Sequence, residues 1–440
     1  MTALAMLAET LAGLDFRNET LREAARRRVF DTLGALAVGT LTDEGRALRR
    51  LREGDLAATI RFAVGAARAT EVDDIHIGSC LTAGSVVVPV AAALAARPGE
   101  TGDDAFLAAV VAGYEAMLRF GTAIDGARAL YRGVWPTLAA APLGAAAAAS
   151  RLLGLDAAGT ANAFAIALGR TTWISPGRGG PVPARSLTLA MAAAEGVAAA
   201  EAAAAGFGGA PAVLDRIATV LPLDQAALDA GLGERWRIAD IDVKPFPTAR
   251  QGMAAIAAFQ ALCPLLRPAG ELARIDVGVP APVRAMIAAT AMPADRIGSM
   301  VSVAYQLALA ALAPNRLHDA VRATLPGGDN IAAFMAKVVL HDDPELTERF
   351  PAQWGATLRL RWSGGETAEA ILLDPPGTAR AGDFGWEALS EKYTRVFAAS
   401  GLSAGAGLGE LRARCRALGT ASSRGAGGLL DAAIALASTS

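Results

Sequence analysis

Apolar positions recur at helical spacing through about the first 235 residues of the chain. Alanine and leucine occupy positions i, i+3 and i+4 of long segments that are separated by glycine and proline, and alternating patterns are nearly absent there. This periodicity is typical of amphipathic helices. Residues 22–38 predict one such helix, and residues 103–120 predict another with Asp103 as its N-cap. The pattern therefore predicts a large helical domain.

The pattern of apolar positions changes after Arg235. Residues 273–279 alternate between apolar and polar, and residues 356–362 and 367–373 alternate on both sides of Ser-Gly-Gly-Glu, which predicts a strand and a hairpin. Helical spacing returns at 281–290, 301–312, 315–323, 328–338, 386–398, 408–418 and near 428–437. We predict a mainly α fold with a smaller α+β domain. The predicted boundaries are a discontinuous all-helical domain at 1–240 and 384–440, and an α+β domain at 241–383.

The composition fits a globular protein with two hydrophobic cores. Of the 440 residues, 53% are hydrophobic, which is enough apolar material for two domains. Lys and Arg number 41 and Asp and Glu number 43, which gives a formal net charge of −2. No net field therefore favours nucleic acid or an anionic membrane as a partner. We expect a small molecule bound in a pocket instead.

We predict neither a membrane span nor a targeting signal. Residues 1–14 are apolar at helical spacing but lack a basic leader and contain Glu9, which favours an amphipathic helix over a signal peptide. The Ala-rich tract 187–205 contains Glu195 and Glu201, which predict a segment too polar to cross a membrane. The 3 cysteines are widely separated, which argues against a disulfide scaffold or a Cys-x-x-Cys metal site. We expect a cytoplasmic protein.

Residues 71–76 concentrate proton-transfer side chains ahead of an apolar run that contains Pro89. Three carboxylates and a histidine lie within this segment, and Cys80 follows it. Burying ionised carboxylates without partners costs several kcal/mol, roughly. Neither a helix nor a sheet requires clustered acidic residues next to a hydrophobic core. The segment therefore predicts a functional site.

Six motifs along the chain resemble those of one enzyme family. They are Phe-Asp-Thr-Leu-Gly-Ala-Leu-Ala-Val-Gly at 30–39, Asp-Asp at 73–74, Arg-Gly-Val-Trp-Pro-Thr at 132–137, Gly-Phe at 206–207, Lys-Pro-Phe-Pro at 244–247 and Ser-Val-Ala-Tyr at 302–305. Together they are similar to the MmgE/PrpD family, which includes 2-methylcitrate dehydratase, cis-aconitate decarboxylase and iminodisuccinate epimerase. The resemblance implies a large helical domain with an α+β lid, a homodimer, and no metal or organic cofactor.

The resemblance places individual residues at the family's site positions. Glu71 stands for the first acid of the family's Asp-Phe-Asp-Asp-Thr, and Lys244 and Tyr305 keep a family lysine and tyrosine. Arg185 replaces another family lysine. Histidine is replaced at about four places, namely at Thr82, Trp135, Thr188 and around 248–249. Positive charge and hydroxyl groups thus persist at these positions while histidine is removed.

Cations and proton-transfer groups are what a carboxylate substrate requires. Guanidinium binds carboxylate in a bidentate fashion, and proton abstraction beside a carboxylate needs a base of tuned pKa and a cation for the developing enolate. The predicted catalytic residues are Lys244, Tyr305, Glu71 and His76. The predicted substrate contacts are Asp73, Asp74, Thr82, Trp135, Arg185, Thr188 and Arg250.

Structural roles remain open for the same residues. Tyr305 is also consistent with a core tyrosine, His76 with a capping or surface histidine, and the acids with helix caps or ion pairs. Cys80 is consistent with a buried thiol as well as a nucleophile. Residues 177–180 lack the features of a phosphate-binding loop and predict a mobile loop near the site, with Arg178 as a further substrate contact.

The function expected from these observations is that of a cofactor-independent enzyme. It would act at the α-carbon of a small carboxylate or polycarboxylate by epimerisation, elimination or decarboxylation. The alternative is a catalytically inactive relative that serves as a binding or scaffold subunit, which the replaced histidines favour and the retained lysine and tyrosine oppose.

Overall fold

The computed structural model describes residues 2–14, 16–52, 54–99, 101–174, 177, 182–210, 212–266, 271–382, 384–423 and 425–438. Arg178, the predicted extra substrate contact, lies outside the described residues together with most of its loop. The chain divides into two compact units. The first unit comprises Met1–Ile241 and Leu402–Ser440, and the second comprises Asp242–Gly401.

Helices build the main part of the first unit. They are α1 (Ala3–Ala12), α2 (Glu19–Gly39), α3 (Asp43–Arg50), α4 (Leu56–Ala69), α5 (Gly84–Ala95), α6 (Asp103–Ala123), α7 (Gly126–Ala129), α8 (Pro136–Leu152), α9 (Ala157–Gly169), α10 (Arg185–Ala204), α11 (Val213–Ala218) and α12 (Ala226–Asp229). Every residue of α5 is buried, as are the first 15 residues of α8 from Pro136 to Ser150. These two helices form the centre of the hydrophobic core, and α4, α6 and α10 pack around them.

Two glycines allow backbones of neighbouring helices to touch. A Cβ atom added at Gly39 in α2 would lie 1.9 Å from the carbonyl oxygen of Ala66 in α4. A Cβ atom at Gly196 in α10 would lie 2.3 Å from the carbonyl oxygen of Pro142 in α8. Because backbone atoms cannot rotate away from such a contact, these positions require the missing side chain.

The second unit contains a four-stranded sheet with helices. Its helices are α13 (Arg250–Leu262), α14 (Ala281–Ile287), α15 (Arg296–Val301), α16 (Val303–Leu312), α17 (Pro314–Leu317), α18 (Asp329–Met335), α19 (Pro344–Arg349) and α20 (Trp386–Ala399). The strands β1 (Leu272–Val279), β2 (Val338–Asp342), β3 (Ala356–Trp362) and β4 (Thr367–Leu372) lie in the order β2-β1-β3-β4. β1 is parallel to β2 and antiparallel to β3, and β3 and β4 form a hairpin.

The observed architecture confirms the mainly α fold with a smaller α+β domain. β1 and the β3–β4 hairpin lie within one residue of their predicted bounds. Strand β2 was missed, because a short strand at the edge of a sheet depends on hydrogen bonds to its neighbour more than on its own pattern. The predicted helix 315–323 was too long, since the Asp319 carboxylate accepts hydrogen bonds from the backbone N–H groups of Val321 and Arg322 and ends the helix in a turn.

The last two helices, α21 (Ala406–Ala417) and α22 (Leu429–Ala435), return to the first unit and pack on α2. Arg26 donates to the carbonyl oxygen of Leu418 at 2.8 Å. Asp103 is not the N-cap of α6, a position that Gly102 takes; its carboxylate instead accepts from the N–H of Gly419 at 2.8 Å. Helix α20 belongs to the second unit, whereas the predicted boundary at 384 groups it with the helical domain.

In the part of the chain that the structure describes, two helices, α6 and α10, are long and apolar enough to span a membrane by length and composition. For α10 this contradicts the expectation from Glu195 and Glu201, because the alanines raise the mean hydropathy of its best window to 1.3. The corresponding window of α6 is 89% buried inside the protein. Buried core helices of soluble proteins pass the same test, so this property is weak evidence for a span.

Gly39→Ala is expected to lower the free energy of unfolding by about 1–3 kcal/mol, because the new methyl group meets the backbone of Ala66. Urea unfolding followed by circular dichroism measures the change. Gly409→Ala is the matched control: it lies inside α21 with no atom within 4 Å of the added methyl group, and alanine favours helix by roughly 1 kcal/mol. Equal unfolding midpoints for the two variants would contradict the close contact of α2 and α4.

Candidate functional site

Glu71 lies between two arginines in the segment that joins α4 to α5. Its Oε1 atom is 2.9 Å from Nη2 of Arg68 and 2.9 Å from Nη1 of Arg185. Arg68 also reaches Oδ1 of Asp73 at 3.3 Å. Arg68, Glu71 and Asp73 are buried, whereas the side chain of Arg185 is 25% exposed. Two predicted site residues that are 114 positions apart in sequence are thus in direct contact.

Arg185 also stacks on Trp135. The guanidinium carbon lies 4.6 Å from the centroid of the indole ring, within the range of a cation–π contact. Trp135 is held at the start of α8, where its backbone N–H donates to the carbonyl oxygen of Trp173 at 2.7 Å. Arg185 is the first residue of α10. We call Arg68, Glu71, Asp73, Trp135 and Arg185 the arginine cluster.

The charges of the arginine cluster compensate one another. Burial lowers the pKa of Arg68, but the carboxylates of Asp73 and Glu71 outweigh burial and leave that pKa raised above its ordinary value. Arg68 therefore keeps its charge. The Glu71 carboxylate lies at hydrogen-bond distance from both guanidinium groups. The φ angle of Glu71 is 54°, a left-handed conformation that costs a non-glycine residue about 1–3 kcal/mol and that these ion pairs hold in place.

Asp74 contacts a different set of groups from Asp73. Its Oδ1 atom accepts from the N–H of Gly84, the first residue of α5, at 3.0 Å, and its Oδ2 atom accepts from the hydroxyl of Tyr114 at 2.5 Å. Burial raises its pKa to about 6, although the Tyr114 hydrogen bond and the charge of Arg28 act in the opposite direction. Asp74 thus takes the structural role left open by its sequence, since it anchors the start of α5.

His76 is an uncharged, buried histidine at neutral pH. Its Nδ1 atom accepts from the backbone N–H of Ser79 at 3.2 Å and lies 2.7 Å from the Ser79 hydroxyl, so the proton of the neutral ring is on Nε2. Burial, together with the charge of Arg237, lowers its pKa to about 4. The charges that act on the ring belong to residues 235–240, and no described hydrogen bond joins it to the arginine cluster.

Thr82 and Thr188 stand at positions where the resemblance places family histidines, and their hydroxyl groups have different surroundings. Thr188 donates its hydroxyl to the carbonyl oxygen of Ala184 at 3.0 Å, within its own helix. It lies one turn after Arg185 and therefore on the same face of α10. Thr82 is buried, and its hydroxyl has no hydrogen-bond partner among the described residues. Its backbone N–H donates to the hydroxyl of Thr137 at 3.4 Å.

Arg250 forms a buried ion pair inside the second unit. Its Nη2 atom is 3.1 Å from Oδ2 of Asp242 and 3.0 Å from the hydroxyl of Thr378. Burial raises the pKa of Asp242 and lowers that of Arg250, with their mutual attraction acting against both shifts. Arg250 thus connects Asp242 to Thr378. These contacts favour a structural role for Arg250 over the predicted contact with substrate. Lys244, two residues after Asp242, is 1% exposed.

Tyr305 lies beside a polar network in the second unit, since the next residue, Gln306, belongs to it. Its hydroxyl donates to the carbonyl oxygen of Pro326 at 2.8 Å, and burial raises its pKa, so the hydroxyl stays protonated at neutral pH. Buried Arg322 donates to the Ser299 hydroxyl at 2.7 Å and to Oε1 of Gln306 at 3.1 Å. Gln306 in turn donates to the hydroxyl of Thr248 at 2.9 Å. The segments around 248 and 305 are therefore fixed to each other.

Two buried arginines of these networks were missed by the sequence analysis. Arg68 had a usable signal, since it stands three residues before Glu71 in the last turn of a helix, a spacing that favours an ion pair. Arg322 had none, because the Ser299 and Gln306 side chains that accept from it lie 23 and 16 residues away in sequence. No group of three or more His, Cys, Asp or Glu suited to a metal ion occurs among the described residues.

Two family models match the chain, one in each unit. The MmgE/PrpD N-terminal domain matches residues 56–221 and the MmgE/PrpD C-terminal domain matches residues 246–404. The chain belongs to the MmgE/PrpD family. This family includes lyases and dehydratases. A comparison with curated proteins gives no match.

The arginine cluster lies entirely within the match to the MmgE/PrpD N-terminal domain, and Arg250, Tyr305 and Arg322 lie within the match to the C-terminal domain. Lys244 precedes the C-terminal match by two residues. Family membership thus rests on both units and confirms the resemblance seen in the sequence motifs.

Arg68→Met is expected to lower the free energy of unfolding by about 3–5 kcal/mol, because it leaves two buried carboxylates with one guanidinium fewer. Chemical unfolding at neutral pH measures the effect. Arg46→Met is the control, since Arg46 and Asp43 also form an i,i+3 pair, at 2.6 Å, but with side chains 50% and 64% exposed. That variant should stay within about 1 kcal/mol of the parent protein. Similar losses in both would exclude a special role for burial.

Asp74→Asn is expected to remove one component of the pH dependence of stability. The pKa of Asp74 is about 6 in the folded protein against an ordinary value of 3.8, so the folded state binds this proton more tightly than the unfolded state. Stability from this group is therefore present at low pH and is lost as pH rises from about 4 to about 6, by on the order of 3 kcal/mol.

Unfolding of the parent and of Asp74→Asn at pH about 4.5 and about 7.5 checks the sign. The substitution should cost more stability at the lower pH than at the higher pH. Asparagine can still accept from Gly84, so the start of α5 is retained. A cost that is the same at both pH values would show that Asp74 is ionised throughout.

Proposed function

We propose that the protein is a cofactor-independent enzyme that acts at the α-carbon of a small carboxylate or polycarboxylate. The observation that carries the proposal is the position of Arg185. Its guanidinium is oriented by Glu71 and Trp135 yet remains 25% exposed, and a pre-oriented guanidinium binds a carboxylate with little loss of side-chain entropy. Membership of a family that includes lyases and dehydratases supports the same class of reaction.

The environments of the candidate residues favour distinct roles. Glu71 orients Arg185, because its carboxylate contacts the guanidinium groups of both Arg68 and Arg185. Tyr305 keeps its proton at neutral pH and is suited to donate a hydrogen bond or a proton. We assign the role of base to Lys244, which is buried almost completely and stands where the sequence motif keeps a family lysine.

Elimination and epimerisation begin with removal of the α-proton, and the electron pair moves into the adjacent carboxylate as an enolate that a cation stabilises. Three outcomes remain within the proposal. Expulsion of a β-hydroxide gives elimination, and return of a proton to the opposite face gives epimerisation. Decarboxylation reaches the same kind of carbanion by loss of carbon dioxide in place of the proton. Elimination is the outcome closest to the dehydratases of the family.

A catalytically inactive relative that binds carboxylates without turnover is the second candidate. It is favoured by the positions of Thr82 and Thr188, which replace family histidines. The Thr188 hydroxyl is engaged by its own helix, and the Thr82 hydroxyl is buried. Neither group is suited to accept a proton at neutral pH.

The proposal also includes a homodimer and a cytoplasmic location. Light scattering tests the oligomeric state.

Solvent exchange distinguishes an enzyme from an inactive relative. The purified protein is incubated in deuterated water with methylcitrate, cis-aconitate or iminodisuccinate and followed by NMR. We expect deuterium at an α-position, or loss of water or carbon dioxide, with at least one of these acids. Lys244→Ala should reduce the rate by about 100-fold or more, since a positioned base contributes about that much.

Arg185→Gln should mainly raise KM, because it removes a carboxylate contact and leaves the base in place. Arg170→Gln is the control, since Arg170 forms an exposed pair with Glu195 at 2.6 Å. No exchange with any of the acids, together with unchanged ligand binding by Lys244→Ala, would overturn the enzyme proposal and leave the inactive relative.

A further inference from the structure

Two neighbouring cavities in the second unit form one groove along α20. Their volumes are about 240 Å³ and about 520 Å³, and they share Gln260, His318 and Arg395 in their linings. Cavities of a few hundred Å³ are of the size that holds small organic ligands. The predicted site residues Lys244, Arg250 and Tyr305 do not line this groove.

The smaller cavity is the apolar end of the groove. Its apolar lining consists of Pro245, Phe246, Ala257, Pro376, Phe384 and Ala388. The larger cavity is more polar, since Asn315 and Thr394 contribute to its wall. The groove therefore offers a nonpolar pocket that continues into a polar opening, which suits a molecule with an apolar body and a polar end.

Arg395 supplies a cation where the two cavities meet. Its side chain is 58% exposed and contacts Glu391 through Nη2. The Nε and Nη1 groups donate to no acceptor among the described residues, so part of the guanidinium can still bind a ligand. Lys392 also lines the smaller cavity, with its ammonium 4.8 Å from the ring centroid of Tyr393. Arg395 therefore supplies the charge-assisted contact that an anion requires.

His318 adds aromatic surface and no charge. Its ring meets that of Phe246 edge to face, with centroids 6.1 Å apart and an angle of 87°. Burial, together with the charge of Arg395, lowers its pKa to about 4. At neutral pH the groove wall therefore combines an aromatic pair with the guanidinium of Arg395.

We propose that this groove binds a small organic monocarboxylate with an aromatic or short alkyl body. The carboxylate lies on the free edge of Arg395, and the apolar body packs against Phe246 and Ala388. The site is independent of the proposed reaction. It adjoins the segment that carries Lys244, because Pro245 and Phe246 follow Lys244 directly and line the groove.

Fluorine NMR of 4-fluorophenylacetate with the full-length protein tests the proposal. We expect saturable line broadening, and weaker binding of the neutral analogue 2-(4-fluorophenyl)ethanol. Arg395→Gln should raise the Kd for the acid by about tenfold, as expected for loss of one charge-assisted contact. Ala388→Phe should abolish binding by filling the apolar end. Circular dichroism verifies that both variants are folded.

Arg284→Gln is the matched control, since Arg284 also forms an exposed pair, at 2.6 Å from Asp342, and lies outside the groove lining. Its Kd should equal that of the parent. Absence of saturation by about 10 mM probe, which corresponds to a very weak complex, would overturn the proposal. Unchanged binding by Ala388→Phe would do the same. A Kd raised by Arg185→Gln instead would place the probe at the arginine cluster and not in the groove.

Discussion

The candidate site of the first unit depends on one buried carboxylate that contacts two guanidinium groups. Glu71 contacts Arg68 from the end of α4 and Arg185 from the start of α10. Removing such charges from water costs several kcal/mol per ion, and only good geometry with both partners offsets that cost. The left-handed backbone conformation at Glu71 and the stacking of Arg185 on Trp135 accompany these ion pairs and hold the charged groups in contact. The same contacts leave one guanidinium partly exposed.

Arg322 in the second unit donates to neutral acceptors, whereas Arg68 in the first unit is bound by carboxylates. Arg322 is buried and donates to a serine hydroxyl, a glutamine side chain and backbone carbonyls. Burial lowers its pKa to about 10, so it still carries its charge at neutral pH. Its positive charge is therefore less compensated locally than that of Arg68, and it acts on the nearby Tyr305 hydroxyl by lowering the pKa that burial raises. Both units thus place fixed positive charge beside predicted site residues, in agreement with a carboxylate as substrate.

Sequence reasoning identified the fold and part of the site for different reasons. Helical periodicity in 1–235 and alternation in β1, β3 and β4 are local properties, so they predicted the two kinds of domain correctly. Glu71, Trp135 and Arg185 were named separately, and the structure places them in contact. The separation of Asp73 from Asp74 could not be predicted, because adjacent residues of an irregular segment point to partners on α4 and α6 that only folding brings near. The same holds for His76, whose pKa depends on burial and on residues 235–240.

The sequence by itself determined the mainly α architecture, the change to an α+β domain and, through motifs in register, membership of the MmgE/PrpD family. These features follow from the spacing of residues along the chain, which can be read from the sequence without knowing any tertiary contact. The tertiary structure decided which charged groups pair. It made Glu71 a partner of arginines, Asp74 an anchor for α5 and Arg250 a partner of Asp242. Burial and distance set the charge and the availability of each group, and neither is encoded at a single position.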